Sequence, residues 1–456
     1  MKRIGIAGAG VLGRLLAWQL SRAGHAVTVF DPAAGPEAPA TGSLTGGSAH
    51  AAGFTAAGML SPLAELDNAG PDIARLGWRS LALWREVAEA LRADGCSATL
   101  FAQHGSLMLA HGADLGAARR VLARLETAPS LAAELPAPQP LDRAALAALE
   151  PALAPGLHAW LLPDEAQVMS RDMLAALAVH APNAHWCWGE RVERVEPGVL
   201  HVAGEGPVRF DLAIDVRGTG AREMDGSPVI ASVRAEPVEA LHTHTPQTLR
   251  QAQGERRFLY ASEPVRGVRG EVIWLHAPGV RLQRPVRLLH PRHRVYIVPR
   301  PGDLFVVGAS EIESEDRSPV SLRSAVELMA AAQSVLPELA EARIVHMEAN
   351  LRPALPDNEP HTHAEPGLLR INGLFRHGWL LAPALVQDAL DLLGLATAAR
   401  EHPHPPSTSS GQAKPLPPAV EGTSLAGGRA SLPRPSGERA GVRGTPEPTP
   451  ETQQTH

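Results

Sequence analysis

Gly8, Gly10 and Gly13 stand at the spacing GxGxxG within Arg3-Ile4-Gly5-Ile6-Ala7-Gly8-Ala9-Gly10-Val11-Leu12-Gly13, and Asp31 closes the run Ala26-Val27-Thr28-Val29-Phe30-Asp31. These types and spacings suit a dinucleotide. Gly8 permits a tight turn, Gly10 lets the backbone approach a pyrophosphate, and Gly13 lets a helix pack closely on a strand. A helix beginning near Val11 aims its free N–H groups and positive dipole end at the phosphates. Asp31, at a distance of roughly 20 residues, is placed to accept hydrogen bonds from an adenosine ribose. FAD and the nicotinamide dinucleotides share this fingerprint, so at this point the choice between them stays open.

Two further stretches bear on the same ligand. Gly46 to Pro62, through Ser48 and Ala56-Ala57-Gly58-Met59, is built mostly of small residues. Such a run lets backbone lie against a flat ring. Asp215-Val216-Arg217-Gly218-Thr219-Gly220 ends a strand in a second glycine turn, which brings the chain back to the dinucleotide.

The elements that must position these residues are legible in the hydrophobic pattern. Pro71 to Ala93 carries Ile73, Leu76, Trp78, Leu81, Leu83, Trp84, Val87 and Leu91, close to helical periodicity, and ends at Asp94-Gly95. Leu107 to Ala110, Val199 to Val202 and Leu212 to Val216 read as strands. Val295 to Val298 and Leu304 to Val307 flank Pro301-Gly302-Asp303, an antiparallel signature. Helices are predicted from about Ser321 to Leu336 and from about Pro383 to Leu393. The expected architecture is α/β plus antiparallel β: a Rossmann-type domain beside a mostly antiparallel sheet, with the site between them. The predicted cofactor domain is discontinuous (1–80, 150–225 and 345–398), and the substrate domain takes 81–149 and 258–344. Residues 226–257 lack periodicity and read as an inserted flexible loop, and 401–456, rich in Pro, Gly, Ser and Thr without aromatics, as a disordered tail. The His pairs in these segments, His242/His244 and His402/His404, read as scattered polar residues, not metal ligands.

Composition narrows the class. The chain has 456 residues, 44% hydrophobic and 20% charged, with a net charge of −6 and no basic stripe, which argues against nucleic acid as a partner. No apolar run approaches a membrane span of roughly 18 residues, and the N-terminal glycine turn interrupts any signal-peptide core, so a cytoplasmic protein is expected. Cys96 and Cys187 are too few for a disulfide framework or a cysteine-based metal site and read as core thiols. HExxH and GxSxG do not occur, which removes metal-hydrolase and serine-triad chemistry.

Ala56-Ala57-Gly58-Met59-Leu60-Ser61-Pro62-Leu63-Ala64-Glu65, Tyr296-Ile297-Val298-Pro299-Arg300, Val307-Gly308-Ala309-Ser310, Leu351-Arg352-Pro353 with Pro356-Asp357, and Phe375-Arg376-His377-Gly378 with Leu381-Ala382-Pro383 resemble the FAD-dependent D-amino-acid oxidase superfamily, and most of all its glycine oxidases. The resemblance runs from residue 1 to about 398, omitting the insert. It implies the glutathione-reductase-like, D-amino-acid-oxidase-like two-domain fold. It also implies FAD contacts at Gly8, Gly10, Val11, Gly13, Asp31, Ser48, Ala56, Ala57, Gly58, Met59, Val192, Gly218, Gly378 and Leu380. Arg352 would pair with the substrate carboxylate, Tyr296 would hydrogen-bond it, and Arg376 would lie beside flavin and substrate. A planar guanidinium offers the bidentate fork a carboxylate takes.

The implied reaction is hydride transfer from the Cα of glycine or another small amino acid or amine to flavin N5. It gives an imine that hydrolyses to glyoxylate or another keto acid and ammonia, while dioxygen is reduced to hydrogen peroxide. A homo-oligomer and a thiazole-forming enzyme of thiamine synthesis as metabolic consumer are further implications. With no cysteine late in the chain, FAD is expected to be non-covalent and no metal is required. Asn350, Ser310 and Leu374 depart from the family pattern and bear on substrate preference. A flavin dehydrogenase serving a quinone or carrier, and a non-catalytic FAD-binding protein, are the alternatives.

Overall fold

In the computed structural model the described residues are 1–37, 50–222, 265–290 and 294–395. The predicted insert and the predicted tail, each with its His pair, and Ser48 lie outside them. Chain order begins with β1 (Arg3–Ala7), α1 (Val11–Arg22), β2 (Ala26–Asp31) and the long α2 (Pro71–Ala93). It continues through β3 (Ser106–Ala110), β4 (Gln139–Leu141), β5 (His158–Leu162), β6 (Ala184–Trp188) and β7 (Leu212–Asp215). Then come β8 (Arg266–His276), β9 (Val286–Leu289), β10 (Arg294–Arg300), β11 (Leu304–Gly308) and α3 (Leu322–Val335). β12 (Arg343–Ala354), β13 (His361–Glu365), β14 (Leu368–Asn372) and α4 (Gly378–Leu392) follow, with shorter helices and strands between the elements named.

Two large sheets frame the molecule. The first has the order β13-β14-β7-β1-β2-β6 and is parallel except for the β13/β14 hairpin. Ile4 and Ile6 of β1 pack with Leu15 and Leu16 of α1, Trp84 of α2 and Leu381 of α4 in one apolar cluster. A parallel sheet with buried faces needs this helical cover. The boundary expected at residue 80 falls inside α2, whose residues on both sides of it join this cluster. The second sheet has the order β12-β8-β11-β10-β9-β3-β5-β4 and is antiparallel except between β9 and β3. Its outer face packs on α3 through Ile273, Val307, Leu328 and Val335.

The expected α/β plus antiparallel-β architecture is the one observed. Two local expectations need correction. α4 starts at Gly378, not near Pro383, although Pro favours a first turn. Pro383 lies inside the helix and cannot donate to the carbonyl of Trp379; the Nε1–H of buried Trp84 donates to that carbonyl instead, at 2.7 Å. The two cysteines are half-buried, not core. Cys187 lies on edge strand β6, and its thiol is pushed up to about 11 by burial and by Glu190 and Glu205.

Candidate active site

At the C-terminal end of β1 the chain turns through Gly8, whose φ is +104°. A Cβ there would meet the Val216 carbonyl oxygen at 2.7 Å, and one on Gly13 would meet the Gly8 carbonyl oxygen at 1.8 Å. These two glycines pack the first and second glycine turns and helix α1 together. Gly10 differs, with only the Ala51 methyl near its bare face at 3.5 Å, and it lines a cavity of about 1060 Å³. α1 carries no side-chain cap at its N-terminus, so its first N–H groups remain available to an anion. Arg14, buried in α1, braces the turn from behind by donating to the carbonyls of Ala9, Leu174 and Pro36, each at 2.8 Å. Asp31 also faces the cavity, where its carboxylate accepts from the N–H groups of Ala9 at 2.6 Å and Ala33 at 2.9 Å.

From this turn the cavity extends along Ala56, Ala57, Gly58 and Met59, past Val11, Val192, Gly218, Gly378 and Leu380, to Tyr296, Arg352 and Arg376. Every predicted site residue among the described ones therefore lines one space, except Gly13, which packs beneath it. Gly58 has φ +71°, a value that favours glycine. The segment from His50 to Thr55 is fixed by β12, where Asn350 donates to the His50 carbonyl at 3.2 Å and to Thr55 Oγ1 at 3.0 Å. Glu348, two residues earlier on the same strand face, bonds His50 and Thr55 and pairs with Arg171 at 2.9 Å.

The far end is cationic. Arg352 reaches across Gly270, where a Cβ would come within 2.5 Å of the guanidinium. It donates to the main-chain carbonyls of Arg269 at 3.2 Å and Ser310 at 3.0 Å. Among the described residues no carboxylate lies within ion-pair distance of it. Burial lowers its pKa, because a charge away from water lacks full compensation. Tyr296 Oη sits against Gly308, and among the described residues nothing hydrogen-bonds it. Burial raises its pKa, with Arg352 acting in the opposite sense.

The sequence reading gave no role to the group that holds Arg376. Glu65, 5% exposed, pairs through Oε2 with Arg376 Nε at 3.3 Å and His377 Nε2 at 3.0 Å, and through Oε1 with Arg287 at 3.3 Å. Burial pushes the Glu65 carboxyl up, but Arg376, His377 and Arg287 outweigh it and hold the group well below its ordinary range. Glu65 in turn raises the pKa of Arg376. The one available signal was the acidic residue that closes the motif at Ala64-Glu65.

The model of the FAD-dependent oxidoreductase family DAO matches residues 3–389. The chain belongs to this family. A Rhizobium etli protein provisionally named thiamine biosynthesis oxidoreductase ThiO is 36% identical over 387 residues, covering 85% of this chain and 94% of that protein. Glycine oxidase of Geobacillus kaustophilus is 26% identical over 407 residues, covering 85% and 92%. The crystal structure of the Geobacillus kaustophilus enzyme superposes with a TM-score of 0.67 at 24% identity, over 87% of this chain and 96% of that one, which is a likeness of fold. The family cofactor fits the cavity described: a glycine turn with an uncapped helix end for the pyrophosphate, and a small-residue wall for the ring.

Proposed function

We propose that this protein is an amino-acid oxidase of the glycine oxidase type, which oxidises glycine or another small amine to the imine, with glyoxylate or a keto acid, ammonia and hydrogen peroxide as final products. The observation that carries the reading is Arg352, a guanidinium on the cavity wall held by main-chain carbonyls, with no carboxylate at ion-pair distance among the described residues. Its planar donors are available to a substrate carboxylate, and Tyr296 Oη supplies a further hydrogen bond to the same group. Arg376, kept charged by Glu65, stands on the neighbouring wall. Bound FAD supplies the two-electron acceptor.

What this chain contributes is position: a carboxylate fixed at one end directs Cα towards the small-residue wall, and holding the reacting atoms in place accounts for a large share of catalysis. Neither cysteine lines the cavity, which supports a non-covalent cofactor. We assign cofactor binding to the six-stranded sheet with its helices, and substrate binding to the eight-stranded sheet that carries Tyr296 and Arg352. The name of the Rhizobium etli relative supports a place in thiamine synthesis.

Anaerobic titration of the FAD-loaded protein with glycine, sarcosine and D-alanine tests the reading. Loss of the oxidised-flavin band with glycine, restored by air with stoichiometric peroxide, is expected. Slow recovery in air with rapid recovery on a quinone would mark a dehydrogenase. A band unchanged by all three amines would overturn the assignment.

A further inference from the structure

Arg287 has no role in the chemistry above, yet it stands beside it. On the cavity face of the eight-stranded sheet one cross-strand row reads Met108, Arg287, Tyr296, Gly308, Val272, Glu348. Arg287 is thus the direct neighbour of Tyr296, on the side opposite Gly308, and directly opposed side chains of a sheet interact. It lines the same cavity. Its strand lies three strand spacings from β8, whose Gly270 underlies the Arg352 guanidinium, a separation of roughly 14 Å between backbones. The Arg352 guanidinium lies over Gly270, and Arg287 and Arg352 line the cavity on either side of Tyr296.

The partners of Arg287 do not satisfy it. Of the five N–H donors of a guanidinium, one is used among the described residues, towards Glu65 Oε1 at 3.3 Å. Nε is buried without a hydrogen bond. The Glu65 carboxylate is also divided, since its other oxygen serves Arg376 and His377. A guanidinium with its side chain only 18% exposed, a long contact to a shared anion and Glu165 nearby still has donors left for a further acceptor.

We infer that Arg287 forms a second anion subsite, which receives the distal carboxylate of an amino acid or N-substituted glycine whose first carboxylate lies at Arg352. This rests on the assignment of Arg352 made under Proposed function. Met108 and Leu289, beside Arg287 on the cavity wall, are apolar and suit the methylenes between the two carboxylates. The structure therefore points to acidic, two-carboxylate amines as substrates alongside the small neutral ones.

The test uses oxidised, FAD-loaded protein titrated with glutarate and with butyrate, read by perturbation of the flavin band and by calorimetry. A charge-assisted contact is worth about 1.5–3 kcal/mol, so glutarate should bind about 10- to 100-fold more tightly than butyrate. Arg287→Gln should reduce that ratio at least about tenfold, and Arg287→Lys, which keeps the charge without the fork, should restore part of it. Equal affinity for the two acids, no binding of either, or a ratio unchanged in Arg287→Gln would overturn the subsite. If Arg287→Gln fails to fold, the wild-type ratio and the Arg287→Lys variant still decide. The outcome is separable from the oxidase assignment: a protein that binds glutarate through Arg287 but is reduced by no amine keeps the subsite and loses the oxidase. One reduced by glycine that ignores glutarate does the reverse.

Discussion

Arg352 is held in place by peptide carbonyls, and this determines what its replacement does. Those carbonyls fix the side chain without neutralising it, so Arg352→Ala removes the ligand contact without stranding a buried carboxylate. We expect the KM for glycine to rise about 10- to 100-fold while the flavin spectrum persists; a near-normal KM would remove Arg352 from substrate binding. Glu165 is a second residue with a measurable signature. Fully buried, it accepts from the N–H groups of Leu63 at 3.0 Å and Ala64 at 3.3 Å and from Ser106 Oγ, so it anchors the turn that carries Glu65. Burial pushes its carboxyl up to about 7, against the opposing effects of Ser106 and Arg287. The folded form thus holds the proton more tightly than the unfolded one, and the associated stability, present below about pH 4.5, is lost as pH rises through 7. The size is roughly 3 kcal/mol. Glu165→Gln keeps the acceptor and should flatten the fall of unfolding free energy between pH 4.5 and 7; an unchanged slope would show that Glu165 does not titrate there. Neither residue declared its role by type alone. An arginine before a proline and a glutamate between turns are ordinary in sequence, and both became informative through partners that are distant along the chain.

Helix α4 and strand β12 show how elements carry this site and where periodicity fails to find them. Pro383 draws a sequence reading of α4 towards a late start, because the missing N–H is harmless only in the first turn. The helix extends further back because Trp84, from α2, supplies the donor that Pro383 lacks. Trp84→Phe keeps the ring contact with Trp379, whose centroid lies 5.3 Å away, but leaves the Trp379 carbonyl unpaired. A loss of about 1–3 kcal/mol is expected in urea unfolding, and an unchanged midpoint would mean that this bond contributes nothing. β12 went unread for the opposite reason. Its inward face carries Glu348, Asn350 and Arg352, polar residues that bind the His50–Thr55 segment and the cavity, so the alternation that marks a strand is hidden. By contrast α2, β10, β11 and α3 face apolar cores and were legible close to their observed ends.

At the scale of the whole molecule, the cavity is walled by both sheets, so its contents join them. A ligand that binds only the folded form stabilises it by about 2.7 kcal/mol at one hundred times its Kd, and FAD should therefore raise the melting temperature of the stripped protein. In Gly13→Ala the added methyl would overlap the Gly8 carbonyl, which should abolish both flavin retention and that thermal shift; a yellow variant with an unchanged shift would show that the turn yields. The sequence by itself determined the βαβ dinucleotide unit, the two kinds of sheet and the family motifs, because turn chemistry and hydrophobic period are local properties of the chain. Only the tertiary structure decided that Glu65 serves Arg376, His377 and Arg287 together, that main-chain carbonyls hold Arg352, and that Arg287 is the neighbour of Tyr296. Strand register and the sharing of one buried charge arise when segments hundreds of residues apart are brought into contact, and no spacing along the chain encodes them.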